Sequence, residues 1–121
     1  MSLLESGENY LETILVLTQR NGSVRSIDVA NEMNFTKPSV SRAMSILKRE
    51  NLIIMEADGR LVLTEEGLKK ATAILERHTI LTRFISEVLG VPEEVAEKDA
   101  CRIEHIISPE TFNGIKRILE K

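Results

Sequence analysis

Cys101, Glu104 and His105 stand at i, i+3 and i+4 of a segment with helical periodicity, so their side chains are expected to share one helix face. Glu97, four residues before Cys101, falls on that face as well. A thiolate, a carboxylate and an imidazole converging within about one and a half helical turns can hold a transition-metal ion. The same residues have a plainer reading, with Cys101 a small buried hydrophobe and Glu104–His105 a surface pair. Cys101 is the single cysteine, which argues against a multi-cysteine zinc site and excludes an intrachain disulfide. His78, the other histidine, lies mid-helix beside Arg77, and Asn9 and Glu12 are i, i+3 on an N-terminal helix, with Glu8 four before Glu12. Each also reads as an ordinary solvated helix residue, and spacing alone does not bring them to Cys101.

A second group of side chains suits nucleic acid. Residues 36–49 carry Lys37, Arg42, Lys48 and Arg49 and no acid, whereas residues 93–104 carry five acids against Lys98 and Arg102. The net charge of −3 therefore hides a basic strip suited to phosphate and an acidic strip suited to cations. Thr36, Ser39, Ser41 and Arg42 are small or groove-reaching side chains at the start of a helix, as major-groove readout requires, with Arg42 able to read guanine edges. Lys37, Lys48 and Arg49 are placed to hold phosphates, and Arg60 at a hairpin tip to reach a flanking phosphate or the minor groove. Taken alone, the helix is equally a capped surface helix with a solvated charged face.

The elements that position these groups follow from periodicity and turn chemistry. Residues 7–19 form a helix buried on one side, with Ser6 as N-cap and Asn21-Gly22 as its end. Ser26 is expected to cap a short helix with apolar Ile27, Val29, Ala30 and Met33, and Asn34-Phe35 to break it. A helix over 36–51 follows, with Pro38 in its first turn and Val40, Met44 and Leu47 facing inward. Apolar runs at 52–55 and 61–63 flank Asp58-Gly59, a hairpin signal. Thr64 then caps a long helix to residue 89, with length enough to bend on the way, closed by Gly90; residues 93–107 form another helix, and Ser108-Pro109 opens a last short one. Helix, short helix, tight turn, helix and hairpin in that order make a winged helix-turn-helix. The fold class is mainly α: a winged helix-turn-helix DNA-binding domain at 1–72, followed by a helical domain at 73–121 with a different task, which carries the candidate ligands Cys101, Glu104 and His105.

Composition sets outer bounds. The 121 residues are 42% hydrophobic and 29% charged, the balance of an ordered globular chain whose core must be aliphatic because aromatics are only 3%. No apolar run is long enough for a membrane span, and the start MSLLESGE lacks a signal peptide's basic and apolar regions, so a cytoplasmic location is expected. No phosphate loop, strand-borne nucleophile or histidine-rich motif is present, which leaves little room for an enzyme, even one using Glu104 as a base. A winged-helix regulator answering to a non-metal signal is the other alternative.

Residues 99–108, DACRIEHIIS, closely resemble the metal-binding helix of the diphtheria-toxin-repressor family of iron- and manganese-dependent repressors. The resemblance runs from residues 8–14, ENYLETI, through residues 38–41, PSVS, and the hairpin to Arg77-His78, essentially the whole chain. It implies Cys101, Glu104 and His105 as ligands on the late helix, with His78, Glu12 and Asn9 as ligands elsewhere. Asn9 falls where the iron branch has methionine and the manganese branch aspartate. Cys101 is the iron-branch residue, while Glu12 matches a manganese-branch carboxylate. Thr82 and Glu97 depart from the iron branch, which has glutamate and histidine there. The implied cofactor is a divalent transition metal, Fe(II) or Mn(II), and the implied partners are double-stranded DNA with a pseudo-palindromic operator and a second copy of the chain. The expected form is the short one, without an SH3-like third domain. Ile80, Leu81, Phe84, Ile85, Val88 and Leu89 offer an apolar surface for the two-fold contact, or equally an intrachain core. Because the implied ligands are split between the first helix and the late helices, a cation joining both sets is expected to favour one orientation of the parts, and so control DNA binding.

Overall fold

The computed structural model describes residues 5–120, with the side chain of Glu5 left aside. The expected lack of a leader rests partly on residues 1–4, outside that range. The chain divides into two compact units, Met1–Thr72 and Ala73–Lys121. Among the described residues no helix is long and apolar enough to cross a membrane.

The first unit is built from α1 (Glu5–Asn21), α2 (Ser26–Met33), α3 (Lys37–Arg49), β1 (Ile53–Met55), β2 (Leu61–Leu63) and the start of α4 (Glu65–Arg83). Leu11, Ile14, Val29, Val40, Met44 and Leu47 recur at helical spacing and are buried, which packs α1, α2 and α3 on one aliphatic core. Ile27 of α2, though apolar, is 41% exposed.

Local chemistry fixes the joints. Helix α1 already includes Ser6, so Ser6 is not its cap. Ser26 is likewise the first helical residue of α2; the N-cap is Arg25, whose backbone N–H donates to the Asp28 carboxylate at 2.9 Å. Asn34 turns left-handed (φ 59°) to end α2, and Thr36 Oγ1 accepts from the Ser39 N–H at 3.3 Å to start α3. The hairpin pairs Ile53 with Leu63, Ile54 with Val62 and Met55 with Leu61. Thr64 Oγ1 accepts from the Gly67 N–H at 3.0 Å and donates to the Asn51 carbonyl at 2.8 Å, fastening α4 to the end of α3. At Gly67 a side chain is impossible without movement, because a Cβ would lie 1.9 Å from the Leu52 carbonyl oxygen.

In the second unit, α4 continues to Arg83 and passes into a π-helical turn, Phe84–Val88, followed by α5 (Glu93–Ile103) and α6 (Pro109–Leu119). The long helix expected to residue 89 thus keeps regular α-helical bonding only as far as Arg83. Wider i→i+5 bonding begins at Phe84, whose carbonyl receives the Leu89 N–H at 3.3 Å. Leu81, Ile85, Ala96 and Ala100 form the buried cluster that joins this turn to α5. Leu81 and Ile85 are therefore core, whereas Val88 and Leu89 are 49% and 59% exposed. The two small alanines let α5 approach closely. Ser108 caps α6 through its Oγ, which accepts from the Thr111 N–H at 3.2 Å.

Candidate metal centre and nucleic-acid interface

Helix α5 ends at Ile103, four residues short of the helix expected at 93–107. The Glu104 N–H still bonds the Ala100 carbonyl at 2.9 Å, but the Ile106 N–H turns back to the Ile103 carbonyl at 3.0 Å, a tighter i→i+3 closure. Glu104 and His105 therefore occupy the turn after the helix, not its regular face. Arg77 of α4, in the same unit, holds that turn. Its Nη1 donates to the carbonyls of Glu104 at 3.1 Å and Ile107 at 3.2 Å, and its guanidinium lies 5.6 Å from the Phe112 ring centre.

The turn places the Glu104 carboxylate in the interior, fully buried, against two imidazoles. His78 Nδ1 lies 3.1 Å from Oε2, and His105 Nε2 lies 3.3 Å from Oε1. The His105 ring is 1% exposed and that of His78 21%. The His105 contact has ion-pair distance but not hydrogen-bond alignment, so Oε1 is a buried acceptor without a hydrogen bond from any described residue. A buried carboxylate oxygen left in this state costs about 1–3 kcal/mol or more. Two imidazoles and a carboxylate also form a nitrogen–oxygen donor set that first-row divalent metals accept. The orphaned oxygen, on a buried carboxylate with an imidazole against each oxygen, fits a cation.

Both plainer readings of this segment fail. Glu104 and the His105 ring are not a surface pair, and Cys101 is exposed, not a core hydrophobe. Glu97 is exposed on α5, one turn before Cys101. Asn9 and Glu12 are half-buried on α1 in the first unit, as is Glu8. Thr82 turns its hydroxyl onto its own helix, donating to the His78 carbonyl at 2.7 Å. Arg77 is the residue that sequence reasoning passed over. Its only signal was its place directly before His78.

The first unit presents its polar groups outward. Thr36, Lys37, Pro38, Ser39, Ser41, Arg42, Lys48 and Arg49 are all exposed on α3 or at its cap, opposite buried Val40, Met44 and Leu47. Arg60 is exposed at the end of the hairpin loop, where Gly59 takes φ +90°.

Two family models match the chain. One, described as the iron-dependent repressor N-terminal DNA-binding domain, matches residues 2–61; the other, the iron-dependent repressor metal-binding and dimerisation domain, matches residues 64–121. Transcriptional regulator MntR of Escherichia coli O6:H1 is 34% identical over 114 residues, covering 94% of this chain and 73% of that protein. A helix-turn-helix-type transcriptional regulator of Methanocaldococcus jannaschii is 31% identical over 118 residues, covering 97% and 94%. The structure of the manganese regulator SloR superposes with a TM-score of 0.84 at 22% identity, over 99% of this chain and 55% of that one, and so shares the winged helix-turn-helix fold. The chain spans about half the length of the curated iron-dependent repressors it matches. From two consecutive domain matches and relatives aligned over most of their length, the chain belongs to the iron-dependent repressor family.

Proposed function

We propose that this chain is a metal-dependent DNA-binding transcriptional regulator, a repressor of iron or manganese homeostasis genes, working without enzymatic activity in the cytoplasm. The observation that carries the reading is the buried Glu104 carboxylate, set between two imidazoles with one oxygen short of a hydrogen bond. His78 and Glu104 would hold the ion. On the sequence resemblance, Asn9, Glu12, Glu97, Cys101 and His105 are further candidate donors. Nitrogen and carboxylate donors accept Fe(II) and Mn(II) alike, and a Cys101 thiolate would tilt the preference toward Fe(II). Bound there, the ion supplies positive charge that the buried carboxylate otherwise lacks.

The protein's own contribution is to hold these side chains in place, with Arg77 bracing the turn that carries two of them. DNA binding responds to metal only as far as the ligand-holding arrangement is also the DNA-competent one. In the first unit, Ser39, Ser41 and Arg42 would face base edges, with Thr36 and Pro38 at the entry of the helix and Lys37, Lys48, Arg49 and Arg60 on phosphates. Exposed Val88, Leu89, Ile106 and Ile118 in the second unit suit contact with a second copy. A homodimer matches a pseudo-palindromic operator, since two-fold protein symmetry is mirrored in the DNA.

Selection of duplexes from a random-sequence pool, run anaerobically with Mn(II), with Fe(II) and without metal, tests this function. Enrichment of an inverted repeat with metal is the expected result. The same enrichment without metal would support a regulator answering to another signal.

A further inference from the structure

The hairpin loop carries a side-chain cluster not used so far. Asp58 Oδ2 accepts from Arg60 Nε at 2.8 Å and Oδ1 accepts from the Arg60 backbone N–H at 3.1 Å. The Asp58 carbonyl accepts from Arg25 Nε at 3.2 Å, so two arginines remote in sequence are tied to one loop residue. The backbone reinforces the tie: Arg25 and Arg60 form an antiparallel bridge, and the Leu61 N–H bonds the Val24 carbonyl at 2.8 Å. A Cβ at Gly59 would lie 3.8 Å from Arg25 Nε, so the Arg25 side chain passes close over this left-handed glycine. The backbone and side-chain bonds from Arg60, helped by the charges of Arg60 and Arg25, hold the Asp58 carboxyl below its usual value.

Each guanidinium is thus anchored through Nε. Among the described residues no hydrogen bond takes up the terminal nitrogens of either one, and Arg25, Asp58 and Arg60 are all exposed. Two oriented guanidinium ends with terminal donors to spare match phosphate oxygens, which accept such forks bidentately.

We propose that Arg25 and Arg60, held by Asp58 as a positioning residue, form a clamp for the DNA backbone at the wing, separate from the contacts of α3. The inference rests on the proposed DNA-binding function and adds to it two statements. Arg25, at the N-cap of α2, is a phosphate contact, and an acidic residue strengthens DNA binding. The second statement opposes plain electrostatics, which predicts tighter binding when an acid beside DNA is removed.

The test measures binding of the Mn(II)-loaded protein to a random-sequence DNA duplex across a salt series. Arg25→Ala and Arg60→Ala are each expected to weaken binding and to flatten the log–log salt slope by about 0.9. Asp58→Ala should weaken binding several-fold in the wild-type background and leave it unchanged in the Arg25→Ala/Arg60→Ala background. Asp58→Asn, which keeps a carbonyl acceptor, should fall between wild type and Asp58→Ala, and thermal melts of each variant report whether the hairpin still folds. Tighter binding by Asp58→Ala, or a further loss in the double-arginine background, overturns the positioning role. An unchanged salt slope in Arg25→Ala overturns the clamp, provided that Lys48→Ala on α3 does flatten the slope. If Lys48→Ala and Arg49→Ala are also silent, it is the DNA-binding reading itself that fails.

Discussion

In the first unit the side chains nominated for DNA are all exposed, whereas in the second the side chain with most of the chemistry, Glu104, is the most deeply buried charged group described. The α3 face keeps its polar atoms hydrated until a ligand replaces the water, so its cost in stability is small. The Glu104 carboxylate has given up its water, and an orphaned oxygen there is tolerable only if something else rewards it. The difference separates two kinds of site: a surface whose specificity lies in which side chains are shown, and an interior whose function lies in an unmet electrostatic demand.

The sharpest way to break the comparison is Glu104→Gln. It should lower Mn(II) affinity by more than about 100-fold, beyond the range usual for outer partners of a ligand. It should also raise the stability of the metal-free protein by about 1 kcal/mol, because a buried charge is removed. Calorimetric metal titration and urea unfolding measure the two. A metal-free protein clearly destabilised by the change would mean that Glu104 is a structural carboxylate.

Arg77→Ala comes next. Removing the two carbonyl contacts and the packing on Phe112 should cost about 2 kcal/mol of stability. Metal affinity should fall by about 10–100-fold through loss of the turn's position. Unfolding at normal cooperativity with unchanged metal affinity would free the site from its dependence on Arg77.

On the exposed side, Arg42→Ala should cost about 1–3 kcal/mol on a selected operator and little on random DNA. Lys48→Ala should weaken both DNAs alike and flatten the salt slope by about 0.9. Identical behaviour of the two variants on both DNAs would show that the reading face is misassigned. Cys101→Glu carries the smallest expected effect, a narrowing or reversal of the Fe(II)-over-Mn(II) preference in anaerobic activation curves, because the softest donor is replaced by a hard one. An unchanged ranking would place Cys101 outside the ligand set.

The same contrast explains what the sequence disclosed. Val40, Met44 and Leu47 at steps of four and three orient α3, so its polar and charged positions are assigned to solvent by periodicity alone. Asp58-Gly59 announced the hairpin because the loop needs one left-handed position, which Gly59 fills at φ +90°. The second unit was less legible. Regular spacing put Cys101, Glu104 and His105 on one face, but the helix ends at Ile103, and Glu104 reaches the interior through a turn braced by a distant arginine. No local pattern encodes the Arg77 bonds to two carbonyls, nor the wider bonding at Phe84–Val88, since both are settled by packing between elements. Leu81 and Ile85 show the same limit: an apolar stripe declares that it will be covered, not by what. The Ser26 cap was misplaced by one residue because the cap's bond comes from the Arg25 backbone, which no side-chain preference signals.

Under the proposed function, metal at the second unit's buried carboxylate governs DNA binding by the first. Fluorescence anisotropy on a selected operator duplex, with Mn(II) or Fe(II) under anaerobic conditions and again with excess chelator, tests it most directly. The expected result is an affinity higher with metal by about 5–150-fold, the usual range of coupling between two sites, and lost in Glu104→Gln. Equal affinity in metal and in chelator would contradict the account.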